Sequence, residues 1–344
     1  MSSDFQPSYS NTDLAFTRES PYGTLAEATY AGALSYMRRR YGKGLENVDV
    51  AVLGIPFDLA VTNRPGSRFG PRAIRAASAQ LAWASAWGWD FDPFDRLSVI
   101  DHGDCRFDPG TPAEVPGQIR NTIAGILEHG VATLCFGGDH FITYPILQAY
   151  AAKFGPLSLI HFDAHSDTWS EPTQRIDHGT MFYHAALNGL VDPARSAQIG
   201  MRTRNEETHG FQVLDADWVR EHGLAATVAR IREVVGNNRA YVSFDIDFLD
   251  PSCAPGTGTP VVGGFATHES HALLRGLRGL QIVGMDVMEV APAYDVSEIT
   301  ALAAASIALD LLCVYASRFP DRPEPSPAPT EGGEHPQSTD GDSK

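Results

Sequence analysis

Apolar residues gather into seven short runs along the chain: VDVAVLGIPF (48–57), RLSVIDHG (96–103), VATLCFGG (131–138), LSLIHFDA (157–164), SAQIGM (196–201), AYVSFDID (240–247) and QIVGMDVMEV (281–290). Most are nearly continuous rather than alternating, the pattern of strands covered on both faces, as in parallel sheets. Between them lie stretches with helical spacing, at 70–81, 116–129, 142–154 and 299–318. A further stretch, 24–41 (TLAEATYAGALSYMRRRY), has helical spacing and a basic last turn that suits a helix C-terminus. Strand–helix alternation predicts a doubly wound α/β fold, with three α/β/α layers around a mostly parallel central sheet.

No internal repeat or linker divides the chain. One main domain is expected over 46–319, after an N-terminal extension and helix over 1–45. From 320 onward Pro, Ser, Gly and charge dominate without apolar periodicity, so 320–344 reads as a disordered tail. A chain of 344 residues with 43% hydrophobic content can bury a sizeable core. No run of 18 apolar residues is present, so no membrane-spanning helix is expected. The start, MSSDFQPSYSNTD, lacks the basic region and apolar stretch of a secretory signal, which makes the cytoplasm the expected location. Of Cys105, Cys135, Cys253 and Cys313, three lie in or near apolar runs and none forms a C-x-x-C pair. They read as small buried hydrophobes rather than a disulfide framework.

The formal net charge of −16 argues against nucleic acid and anionic membrane as partners, since both need a basic face. It suits a cationic substrate, although solubility alone would account for the sign.

The chemistry sits where apolar runs end. Gly137-Gly138-Asp139-His140 follows one run, Asp163-Ala164-His165-Ser166-Asp167 a second, Asp245-Ile246-Asp247 a third and Glu289 a fourth. Open α/β sheets bind ligands beyond the carboxyl ends of their strands, so four strands deliver acids and imidazoles to one edge. Period-two alternation aims Asp163, His165 and Asp167 to one side, and Asp245 and Asp247 together. Four clustered carboxylates repel one another unless cations lie between them. Two divalent ions resolve that problem, and a mixed oxygen and nitrogen donor set suits Mn²⁺ or a similar first-row ion. Two ions about 3.5–4 Å apart can activate one water for hydrolysis. The alternative is a set of solvent-facing strand-end carboxylates; two motifs together with a preceding Gly-Gly-Asp-His count against it.

The combination of FGGDH, HFDAHSD and SFDIDFLDP resembles the ureohydrolase family of arginases, agmatinases and related guanidino hydrolases. DHGTMFY (177–183), IGMRT (199–203), APGTGTPVVGG (254–264) and VGMDVMEVAPAYDVSEITALAA (283–304) are similar to the agmatinase branch. The resemblance runs from about 48 to 318 and implies an arginase-like fold. It implies that His140, Asp163, Asp167 and Asp245 hold one ion and that His165, Asp163, Asp245 and Asp247 hold the other, with Asp163 and Asp245 bridging. The ions would be Mn²⁺, with Ni²⁺ as the alternative. Asp167 or its neighbours would orient the attacking water. Glu289 would receive a planar guanidinium through a bidentate pair, and His178 would carry a proton to the leaving amine. The implied substrate is a small cationic guanidino compound, with agmatine giving putrescine and urea. The Ser-Gly-Asn-Leu-His loop that reads arginine is absent, and DTWSEPTQRIDHGTMFY stands in its place. Guanidinobutyrate, guanidinopropionate, guanidine and dimethylbiguanide remain open, since they differ only in the tail. Resemblance suggests a homo-trimer or hexamer, with a catalytic subunit of a hetero-oligomer as the alternative.

Two other classes fit less well. A polyamine-type deacetylase needs one Zn²⁺ and would leave His165 and Asp247 without a task. A non-catalytic scaffold would be marked by lost ligands, and none is lost. Blander expectations cover the rest. Gly137 and Gly138 permit tight turning before the ligands. The Gly-rich stretch 256–264 is a shaped loop beside the site. Trp169, Tyr183 and Met181 line the pocket or belong to the core. Arg64, Arg68 and Arg72 form structural ion pairs. His102, His161 and His184 receive no metal role.

Overall fold

The computed structural model describes residues 29–83, 85–170 and 175–321. The eight strands among them are β1 (Val50–Ile55), β2 (Val99–Asp104), β3 (Ala132–Gly137), β4 (Ser158–Phe162), β5 (Ala197–Ile199), β6 (Gln212–Leu214), β7 (Ala240–Asp245) and β8 (Ile282–Met288). The helices are α1 (Gly70–Ser78), α2 (Pro93–Arg96), α3 (Val115–Glu128), α4 (Thr143–Phe154), α5 (Met181–Leu187), α6 (Ala216–Val235), α7 (Thr267–Gly276) and α8 (Ile299–Ala316). The strands form one sheet in the order β2-β1-β3-β8-β7-β4-β5-β6, and every pairing is parallel.

Alternate residues of each strand feed opposite faces, which explains the continuous apolar runs. Val50 and Val52 of β1, Leu134 and Phe136 of β3, and Val242 and Phe244 of β7 pack with α1, α6, α7 and α8. Ala51, Leu53 and Ile55, with Cys135 and Tyr241, pack with α3, α4 and α5 on the other side. This is the expected three-layer architecture. Helix α8 is long and apolar enough to cross a membrane by length and composition, but 78% of it is buried within the fold. Cys105, Cys135 and Cys313 are buried and all four cysteines are free.

Several elements depart from expectation. The described part of 24–41 is not helical beyond one 3₁₀ turn, Tyr36–Arg38, with Met37 and Arg38 at φ 50°. Its amides find other acceptors: Tyr36 N–H donates to Asp101 Oδ2 at 2.8 Å, and Met37 N–H to Ser78 Oγ at 2.9 Å. Tyr41 then bridges Asp101 in parallel, so the segment runs along the β2 edge. Residues 24–28 lie outside the described residues, as do 1–23 and the tail from 322. Strand β6 went unpredicted because it is three residues long and half exposed. Helix α6 went unpredicted because Gly223, at φ 83°, breaks its periodicity. Of the three arginines expected in ion pairs, Arg68 pairs with Asp58, while Arg64 lies over the Tyr294 ring at 5.1 Å.

The buried ion pair is instead Arg75 with Asp101, held by Nε at 2.8 Å and Nη2 at 3.0 Å. It ties α1, β2 and the 36–41 segment together. Arg75→Met should cost about 3–5 kcal/mol, because it leaves a buried carboxylate without its cation. Urea unfolding measures this; a loss below about 1 kcal/mol would show that Asp101 is satisfied by its amide donors alone.

Candidate metal centre

The four motif-bearing strands, β3, β8, β7 and β4, are neighbours in the middle of the sheet. Their register is level: Phe136 pairs with Val287, Val287 with Phe244, and Phe244 with Phe162. Asp163 and Asp245 are the next residues along, so pairing alone sets them side by side. Gly137 and Gly138 serve a different purpose from the expected turn, since neither adopts positive φ. A Cβ on Gly138 would lie 1.9 Å from Phe57 O, and one on Gly137 would lie 2.2 Å from Met288 Sδ. Bare Gly137 admits Met288 of β8, and bare Gly138 admits the segment after β1, so that Asp139 N–H reaches Phe57 O at 2.8 Å.

The six motif ligands converge. Nδ1 of His140 lies 3.2 Å from Asp163 Oδ2, 3.1 Å from Asp167 Oδ2 and 3.0 Å from Asp245 Oδ2. Nδ1 of His165 lies 3.2 Å from Asp163 Oδ1 and 3.1 Å from Asp247 Oδ2. Asp163 therefore presents one oxygen to each imidazole. Asp245 Oδ1 is turned to the Asp247 amide at 2.8 Å, so in this arrangement Asp245 faces the His140 side.

The His140 tautomer is fixed from behind. Ser243 Oγ donates to Asp286 Oδ1 at 2.7 Å and accepts from His140 Nε2 at 2.7 Å. That turns Nδ1, buried and without a hydrogen-bond partner, toward three carboxylates; burial opposes charge on the ring, but Asp163, Asp167 and Asp245 outweigh it and hold the His140 pKa well above its usual value. An imidazole nitrogen aimed at three carboxylates is a donor set for a cation, and two groups could hold metal ions: His140 with His161, Asp163 and Asp167, and Asp163 with His165 and Asp247.

The electrostatics agree. Burial, then Asp247 and Asp163, push the Asp245 carboxyl well above its usual range. Burial and Asp163 push Asp167 up to about 7. Burial opposes charge on His165, yet Asp247 and Asp163 outweigh it and hold its pKa up at about 12. Asp163 moves the other way: burial opposes its charge, but His161, His140 and His165 hold it well below the usual range. The shared need is positive charge at the centre of the cluster.

Glu289 and His178 stand beside it. Glu289 Oε1 accepts His140 N–H at 2.8 Å and is 2.9 Å from His178 Nδ1, while Oε2 is buried and unpaired. Asp167 at φ 52° and Glu289 at φ 65° both hold the left-handed conformation, strain of the kind that gathers at functional sites. Burial opposes charge on His178, but Glu289 outweighs it and pushes the pKa up to about 9. A cavity of about 270 Å³ opens here, lined by Thr62, His165, Asp167, Trp169, His178 and Thr259. Of the three uncertain pocket residues, Trp169 lines this cavity. Met181 is core, and Tyr183 packs on His184 and His209. Thr259 places the Gly-rich loop beside the site, as expected.

Sequence reasoning missed the supporting residues. Ser243 and Asp286 pair across β7 and β8, and Asp286 also accepts from Thr143 and Tyr241 hydroxyls, each at 2.9 Å. An aspartate inside the apolar run QIVGMDVMEV was the available signal. His161 is fully buried and reaches Asp163 Oδ2 through Nε2 at 2.8 Å, two residues before it on the same face. Arg202 donates to the carbonyls of Asp247 at 2.6 Å and Val261 at 2.9 Å, clasping two loops of the site.

Comparison with known proteins agrees with this geometry. A family model described as the arginase family matches residues 48–313. An agmatinase of Chromobacterium violaceum is 54% identical over 89% of this chain and 96% of its own length. The structure of a hypothetical agmatinase from Burkholderia thailandensis superposes with a TM-score of 0.87 at 55% identity, covering 89% of this chain and 97% of that one. Proclavaminate amidino hydrolase from Streptomyces clavuligerus gives a TM-score of 0.80 at 40% identity, covering 85% and 100%. With its folded length matched almost throughout and its strand ends carrying this cluster, the chain belongs to the arginase family.

Proposed function

We propose that this protein hydrolyses a guanidino C–N bond, converting agmatine to putrescine and urea. One observation carries the chemistry: buried Glu289 meets the His140 amide through Oε1, beside the His/Asp cluster, and leaves Oε2 without a partner. A planar N–H of a guanidinium is the donor that a buried, unpaired carboxylate oxygen accepts best. The identity shared with the Chromobacterium violaceum agmatinase, 54%, supports agmatine over the proclavaminate-type tail of a relative at 40%.

His140, Asp163, Asp167, His165, Asp245 and Asp247 would hold two divalent ions, Mn²⁺ by the preponderance of carboxylate oxygen, with Ni²⁺ as the alternative. When bound, the ions would lower the pKa of a water and stabilise negative charge on the attacking oxygen. The chain's own residues do the rest. Glu289 orients the guanidinium through Oε2. Its Oε1 is already engaged by His140 N–H and His178 Nδ1, so a bidentate grip requires His178 to yield that oxygen as substrate arrives. Engaging the Glu289 charge with a cation also weakens the main attraction that raises the His178 pKa, which brings that imidazole closer to neutral titration against the remaining pull of Asp167 and Asp139. His178 then gives its proton to the amine nitrogen as the C–N bond breaks. Trp169 and Thr259 form the wall that the tail meets. The exposed Trp87 and Trp83, at 93% and 55%, support burial against further copies in a homo-trimer or hexamer. Four free cysteines support a reducing cytoplasmic setting.

Urea release should favour agmatine when the Mn²⁺-loaded or Ni²⁺-loaded protein is offered agmatine, arginine, guanidinobutyrate, guanidinopropionate, guanidine and dimethylbiguanide. Preference for another member would overturn the substrate and keep the chemistry. Asp245→Ala should lose bound metal and urea release together; full activity in its metal-free form would defeat the mechanism. Stripping the ions with a chelator should lower Tm by on the order of 5–10 °C, since ligand at about 100 times its Kd stabilises by about 2.7 kcal/mol per site. An unchanged Tm would mean that the buried carboxylates are balanced by other means. Ser243→Ala should weaken metal affinity about 10–100-fold by freeing the His140 ring, as calorimetric titration with Mn²⁺ would show.

A further inference from the structure

Thr62 lies in the segment between β1 and α1, and that segment is fastened at several points. Asp58 Oδ2 accepts Gly66 N–H at 2.7 Å, Ala60 N–H donates to Asp139 Oδ2 at 2.8 Å, and Asn63 Nδ2 donates to Gly258 O at 3.0 Å. Two groups of Thr62 meet the same atom, Nε2 of His178: the backbone N–H at 2.9 Å and Oγ1 at 2.7 Å. The other ring nitrogen, Nδ1, lies 2.9 Å from Glu289 Oε1. A backbone N–H can only donate. In the neutral ring Nε2 therefore carries the lone pair, and Nδ1 carries the hydrogen given to Glu289.

The two Thr62 groups respond differently to a proton. Once Nε2 is protonated, it and the amide are two donors facing each other, and the amide becomes repulsive. The hydroxyl alone can reverse its role, donating to the neutral ring and accepting from the charged one. The other tether is no more secure, because an arriving guanidinium competes with Nδ1 for Glu289.

We infer that Thr62 is a positioning residue for His178, its hydroxyl holding Nε2 through both protonation states while the substrate competes for Glu289. This rests on the proton-transfer role proposed above for His178. Without the hydroxyl, the ring is repelled by the Thr62 amide each time it gains a proton. The transfer of the Nδ1 proton, released from Glu289, to the leaving nitrogen then loses its alignment, while guanidinium binding at Glu289 Oε2 is untouched.

The test is steady-state kinetics of the metal-loaded protein, on whichever guanidino substrate it turns over best. Thr62→Val keeps the branched shape and removes the hydroxyl. It should lower kcat by on the order of 10-fold, a fraction of the 10²–10⁴ that general acid–base groups supply, with KM within about twofold. Thr62→Ser should restore kcat. In a His178→Ala background, Thr62→Val should add no further loss. Wild-type kcat in Thr62→Val, no rescue by Ser, or an undiminished loss in the His178→Ala background would each overturn the inference. Wild-type kcat in His178→Ala would bring down the His178 role and this inference with it. Impaired His178→Ala beside unimpaired Thr62→Val would bring down this inference alone.

Discussion

Repulsion among buried carboxylates is the constraint on which this structure turns. Asp163, Asp167, Asp245, Asp247 and Glu289 are all at most 4% exposed and crowd the ends of three adjacent strands, β8, β7 and β4. Burying one unpaired carboxylate is costly, and burying several together compounds the cost. The protein meets part of it with fixed dipoles: the Ala164 amide on Asp247 at 3.1 Å, the Asp247 amide on Asp245 and the His165 amide on Asp163 at 2.6 Å. What remains is a deficit of positive charge between His140 and His165. The proposed ions would fill it, so the metal reading follows from electrostatics as well as from motif spacing.

That crowding is tolerable only because the strands cannot move apart. Level register across β3, β8, β7 and β4 fixes the origin of every ligand, and continuous apolar burial on both faces locks the register. The loops that leave the strands are pinned in turn. Arg202 clasps the backbone around Asp247 and Val261, and bare Gly138 admits the Phe57 carbonyl. A ligand held by its own strand end, its loop and a second hydrogen bond on its far side has little freedom left to lose when a cation binds.

The layered sheet and the converging ligands were legible because each rests on a local pattern. Buried strands leave unbroken apolar runs, and carboxylates at their ends stand out against them. The supporting residues leave no such trace. Ser243 and Asp286 meet only because β7 and β8 are paired, although they are 43 residues apart in the chain. Thr62 sits in an exposed polar loop where one hydroxyl looks like any other. The 29–41 segment misled for a related reason: its spacing is helical, but Asp101 and Ser78 offered its amides better acceptors than a helix would. Tertiary hydrogen bonding overrode local preference there, whereas in α6 the helix forms and the Gly223 break hides its periodicity.

In the proposed reaction, specificity and chemistry would be carried by different parts of the molecule. The groups that would meet the guanidinium and its attacking water grow from strand ends inside a rigid sheet. Those that would meet the rest of the substrate, Trp169 and Thr259, belong to loops. Loop residues can change without disturbing register or charge balance, whereas a changed strand-end ligand upsets both. Family members with different tails to read can thus share a sheet at TM-scores of 0.80 and above while their identity to this chain falls from 55% to 40%. Thr62 falls between these classes. It lies on a loop, yet it touches His178, the imidazole that would change charge in the proposed reaction. The same division predicts that it varies less than its loop position suggests, within the narrow set of residues that can both give and take a hydrogen bond.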